Sequence, residues 1–238
     1  MTAKSTRDHL LDTGLKLMHQ HGYNATGLTE ILKAADVAKG SFYHHFGSKE
    51  DFAAAALERY TTREAKHSAA VLTGSKAPPL KRLKRYFTDL VKFYGQKGEI
   101  PGCMMGRFSL EVAAANPQLR KQISTTFAHW QHTIAAVIQE AVAQEELPGN
   151  TDPESLAGFL LNSWEGALLR SQAEASDAPL EVFMQIAFDQ LLKKHANACA
   201  FASAFATSWF TALGKPSTMP TSTTESLVER KASPSTTF

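Results

Sequence analysis

Residues 28–52 carry two short helical patterns joined by only three residues, a spacing that forces the second helix to cross the first. Ile31, Leu32, Ala34 and Ala35 recur at helical spacing and stop at Asp36-Val37-Ala38. The small Ala34 and Ala35 permit a close approach. Beyond the joint, Phe42 and Phe46 lie four apart on one face, leaving Lys39, Ser41, Tyr43, His44 and His45 on the others. One face is built to pack and the rest is free to touch a partner. Gly47 is expected to be the left-handed residue that ends this helix, and Ser48 with Asp51 forms a capping-box-like start for the next. Lys49 falls in that next helix's first turn, where backbone N–H groups and the helix dipole favour an anion such as a phosphate.

An ordinary helical hairpin with a solvated polar face has much the same pattern, but its charges would be mixed. Residues 37–49 contain no Asp or Glu, although the whole chain holds 23 acids against 25 Lys and Arg. A surface that approaches nucleic-acid phosphates must lack carboxylates, and the net charge of +2 means any such affinity comes from a local patch. The run Lys39, Gly40, Ser41, Phe42, Tyr43, His45, Phe46 and Lys49 resembles the signature of the TetR family of transcriptional regulators, ungapped over residues 7–57. That resemblance implies that Ser41 and His44 meet base edges, Lys39 a base or a phosphate, and Tyr43 and Lys49 phosphates, with Gly40 between them and Phe42 and Phe46 in the core.

Nearly every other segment also reads as helix, and none alternates convincingly as a strand. Helices are expected over 7–21, with Gly22 as a stop, over 48–72, 80–96 and 103–115, and from Pro117, capped by Asn116, to about 144. Two last helices are expected over 153–173 and 179–194, each with more than one apolar face: Leu156, Phe159, Leu160, Trp164, Ala167 and Leu168 on one, Phe183, Ile186, Ala187 and Leu191 on the other. Such faces suit a two-fold four-helix interface, which the resemblance also implies. The fold expected is therefore all-α, with a helix-turn-helix domain at 1–52 and a helical effector-binding and dimerisation domain at 53–194. The remaining 195–238, rich in Ala, Ser, Thr and Pro, is expected to be a poorly ordered extension with no membrane span. The run Lys81-Arg82-Leu83-Lys84-Arg85 is expected to be a solvated helix face.

The other informative run is Gly102-Cys103-Met104-Met105-Gly106-Arg107. A thiol at a helix start has its thiolate favoured by the dipole, Arg107 adds positive charge one turn on, and the methionines make an adaptable lining. A small buried core cysteine is the competing reading. The run resembles the corresponding segment of the NemR/AcuR-type subgroup of the same family, which implies an electrophile- or oxidant-sensing Cys103, although a lysine that some of that subgroup carry is Gln172 here. Candidate walls of an effector pocket are Phe93, Met104, Phe108, Phe127, His129, Trp130 and Trp164. His129 and His132 lie three apart but lack a third ligand in sequence, so no metal is expected, nor any cofactor. Cys103 and Cys199 make no disulfide framework and the N-terminus is no signal peptide, which together suit a reducing cytoplasm.

Three function classes fit these residues. A regulator would bind a palindromic operator as a homodimer and be released by a small molecule or by modification of Cys103. A thiol enzyme would pair Cys103 with a base such as His129 and turn an electrophile over. A constitutive DNA binder would ignore small molecules. The first is the expectation.

Overall fold

The computed structural model describes residues 5–96 and 102–193, and among them all regular structure is helical. Helix α1 (Thr6–His21) is capped by Ser5, whose hydroxyl accepts from the Asp8 N–H, and ends at Gly22, where φ is 88°. Helices α2 (Leu28–Ala35) and α3 (Lys39–His45) are joined by the expected short turn. The left-handed residue in this unit is Asp36, φ 51°, which closes α2. Gly47 does not take that role: α3 ends on Phe46 in extended backbone, φ −139°. The side chain that Phe46 thereby turns inward explains the difference, since its ring joins those of Phe42 and Phe52 at centroid distances of 5.3 and 4.9 Å. Gly14 of α1 admits this cluster, because a Cβ there would lie 2.3 Å from the Phe52 ring.

Helix α4 (Lys49–Leu72) starts on Ser48, whose Oγ accepts from the Asp51 N–H at 3.0 Å. It runs without interruption past residue 52, so the last helix of the head is also the first wall of the larger helical part. Helices α5 (Pro79–Tyr94) and α7 (Pro117–Ala143) pack with it and α6 (Met104–Val112) packs on α7, followed by α8 (Pro153–Ala173) and α9 (Ala178–Gln185), which continues as a π-helical turn, Ile186–Leu191. Asn116 caps α7 as expected, accepting from the Leu119 N–H at 2.9 Å. Arg82 departs from the solvated face read for its run: it is buried, donating to the Leu72 carbonyl and to Glu140. Its place in the row Arg82, Tyr86, Leu90, Tyr94, one residue per turn along α5, puts it on the inward face whatever its charge.

Trp164 and Phe183 also lie inward. Both are buried within the subunit, their rings 5.6 Å apart and packed against Phe87. The apolar residues that α8, α9 and the π-helical turn leave outside are Phe159, Leu169, Val182, Ile186 and Leu191, each more than two-fifths exposed. None of the helices among the described residues is long and apolar enough to cross a membrane. The expected extension over 195–238, Cys199 within it, and most of the turn over 98–102 lie outside the described residues.

Candidate nucleic-acid interface and cavity

On α3 the two phenylalanines point into the head, and Lys39, Gly40, Tyr43 and His44 are exposed, with Ser41 and His45 half-buried. The Lys39 ammonium lies 5.9 Å from the centroid of the Tyr43 ring, so a basic and a phenolic group share one edge. A Cβ on Gly40 would meet nothing within 4 Å, so the head itself does not require glycine there. Lys49 stands apart from this set. Its ammonium donates to the Tyr23 carbonyl at 2.7 Å and sits 4.3 Å from the Tyr23 ring centroid, and burial pulls its pKa down. Any phosphate at Lys49 must compete with that internal partner.

A cavity of about 280 Å³ lies between α4, α5, α7 and the start of α6. Tyr60, Tyr86, Tyr94 and Trp130 give it aromatic walls, and Cys103 and His129 also face it. The Tyr60 and Tyr94 hydroxyls are 2.6 Å apart, and Tyr94 donates onward to Glu64 at 3.5 Å. Burial holds all three phenols well above their ordinary pKa, and the Glu64 charge adds to this.

Cys103 is the N-cap of α6, but its surroundings disfavour the thiolate. Burial raises its pKa well above the usual thiol range, and the neighbouring carboxyl of Glu165 raises it further. Glu165 is itself pushed up to about 7 by burial, and its Oε1 has no partner. The expected dipole effect is worth at most about 2 kcal/mol, whereas full burial shifts a pKa by up to about 5 units, so desolvation wins. Nor does Arg107 supply charge to the thiol. It donates to the carbonyls of His19 and Gln20 at 3.2 and 2.7 Å, at the far end of α1.

Of the residues expected to line an effector site, Cys103, His129 and Trp130 reach the cavity. Met104, Phe108 and Trp164 are wholly buried core, and Phe127 stacks on Trp130 at 6.5 Å instead of joining the wall. Phe93 packs edge-on against Tyr94. Sequence reading missed Tyr60, Glu64, Tyr86, Tyr94 and Glu165, although polar-tipped rings at 86 and 94 on an apolar stripe were a signal. His132 pairs with Glu154 at 3.0 Å, and the described residues hold no group of three potential metal ligands.

One wall of the cavity is tied to the head. His19 Nε2 meets the Gly102 carbonyl at 2.9 Å, Glu111 accepts from the Asn24 N–H at 2.7 Å, and the Tyr23 and Phe108 rings stand edge to face at 5.8 Å. With Arg107, these contacts fasten α6 to the end of α1 and the loop after it. The start of the cavity wall is thus linked to the head through α1.

Residues 10–56 match the family model described as bacterial regulatory proteins, tetR family, and residues 79–187 match the tetracyclin repressor-like C-terminal domain. The chain is 30% identical to the HTH-type transcriptional repressor DhaR of Mycobacterium sp. (strain GP1), over 83% of this chain and 98% of that one. It is 37% identical to the transcriptional regulator AcuR of Cereibacter sphaeroides, over 76% and 83% of the two chains. The crystal structure of reduced Escherichia coli NemR superposes with a TM-score of 0.71 at 31% identity, covering 75% of this chain and 93% of that one.

Proposed function

The chain belongs to the TetR family of transcriptional regulators, and we infer that it is a homodimeric repressor released from a palindromic operator when a small molecule fills the cavity beside Cys103. The observation that carries this reading is the fastening of α6 to the head by His19, Arg107 and Glu111, since the same helix begins in the cavity wall. A ligand that displaces α6 therefore displaces the end of α1, and with it the pose of α3. Release requires that the ligand favour the dimer shape whose heads no longer match the half-site spacing.

At the operator, Lys39 and Tyr43 meet phosphates, Ser41 and His44 lie nearer the bases, and Gly40 leaves room for the nucleic-acid backbone. Lys49 positions the head through Tyr23 and reaches a phosphate only by leaving that carbonyl. The protein works where its DNA is, in the cytoplasm. The family is one of regulators and not of enzymes, which removes the support for turnover at Cys103.

A second reading, in which an electrophile bonds to the Cys103 sulfur, is favoured by the thiol facing the cavity. The raised pKa of the thiol favours a non-covalent occupant instead. Footprinting on the DNA upstream of its own gene, with parent and Cys103→Ser proteins and with and without N-ethylmaleimide, tests both. Sequence-selective protection is expected from both proteins, and loss of protection in the parent alone would establish the covalent route. Absence of any selective protection would sink the repressor reading.

A further inference from the structure

We propose that the cavity between α4, α5 and α7 takes a small protonated amine with an apolar or aromatic body. The inference rests on the cavity being an effector site and names its ligand class. Among the described residues that line the cavity, Glu64 is the one carboxylate, and none is Lys or Arg. Arg63 approaches Glu64 from outside, at 3.4 Å from the Oε1 oxygen, with its own side chain 55% exposed. An anionic ligand would face that carboxylate in a largely apolar cleft with no Lys or Arg among its described lining residues.

Hydrogen-bond direction points the same way. The Tyr60 and Tyr94 hydroxyls bond each other, and the Tyr94 proton is directed to Glu64 Oε2 at the long distance of 3.5 Å. With those protons committed, the Tyr60–Tyr94–Glu64 group offers acceptors to the cavity, which an N–H donor satisfies, while the unpartnered Trp130 Nε1–H on the opposite helix is left for an acceptor on the ligand's body. Tyr60, Tyr86, Tyr94 and Trp130 supply ring surface that favours a cation and its apolar body together. Behind Cys103, Glu165 adds a second acidic group, with one oxygen lacking a partner. His129, the one imidazole among the described wall residues, stands on α7, a different helix from Glu64.

Titration calorimetry of the free dimer with 2-phenylethylammonium, 2-phenylethanol and phenylacetate tests the proposal, because the three share a body and differ in charge. The amine is expected to bind about tenfold more tightly than the alcohol, with no heat from phenylacetate. Glu64→Gln should abolish that preference, bringing the amine and the alcohol to the same affinity; both hydrogen bonds of Glu64 are long, so the variant keeps its fold. Equal affinity for amine and alcohol, binding of phenylacetate, failure of all three to bind, or a preference that survives Glu64→Gln would each overturn it. Binding is read without DNA, so an amine that binds yet leaves operator affinity unchanged would refute the effector reading and leave the ligand class standing.

Discussion

His19 gives its ring nitrogen to the Gly102 carbonyl inside a packed site beside Tyr60, and burial depresses its pKa from 6.5 to about 4. The unfolded chain therefore binds the extra proton first as the pH falls, and the contribution of His19 to stability, complete above pH 6.5, is lost on acidification towards 4. At 1.36 kcal/mol per pKa unit this is at most about 3 kcal/mol. Glu165 acts oppositely. Its pKa, raised from 4.5 to about 7, means the folded state holds the proton, so its contribution is complete below 4.5 and lost as the pH rises through 7. Urea midpoints taken between pH 4.5 and 7 should fall less on acidification in His19→Gln than in the parent, and fall more in Glu165→Gln. Parallel curves for all three proteins would show that neither group is enclosed in solution.

At the scale of elements, α6 matters because its two charged side chains cap nothing of their own helix. Arg107 closes the carbonyl end of α1 and Glu111 takes the Asn24 N–H, two charge-assisted bonds each worth about 1.5–3 kcal/mol. Arg107→Ala should raise amide exchange over residues 19–27 by about tenfold or more while leaving the centre of α7 protected, and should blunt effector-induced release without weakening ligand binding to the same degree. Unchanged exchange at those amides would place the coupling elsewhere. Helix limits of this kind were readable from sequence where the signal is local: Ser48, Asn116 and Pro117 mark their helices by chemistry acting within one turn. The recognition helix was legible for the same reason. The cavity was not, because Tyr60, Tyr94 and Trp130 come from three helices and meet only after folding. Arg82 was misread because burial overrode charge, and at Cys103 the same burial opposes the dipole and favours the competing reading of a buried core cysteine; burial is a property of the packed whole.

For the molecule as a whole, the proposed recognition of a palindrome requires two heads at fixed separation, and the apolar surface left open on α8, α9 and the π-helical turn is the candidate to hold them. Trp164 and Phe183, the large residues that sequence reading assigned to that surface, are instead buried inside one subunit. Phe159, Val182 and Ile186 are 54%, 57% and 42% exposed around a groove that also includes Pro179 and Ala187. An apolar patch of this kind is expensive to leave in water and is self-complementary under a two-fold axis. The two sets of residues should therefore fail differently. Val182→Glu and Phe159→Glu should give folded monomers with intact helicity and much weaker operator affinity, since each head then binds alone. Trp164→Ala should lower unfolding stability by about 3–5 kcal/mol while what remains folded still associates. Sedimentation equilibrium with circular dichroism separates these outcomes: a persistent dimer in Val182→Glu would move the interface off this face, and a folded monomer in Trp164→Ala would restore Trp164 to it.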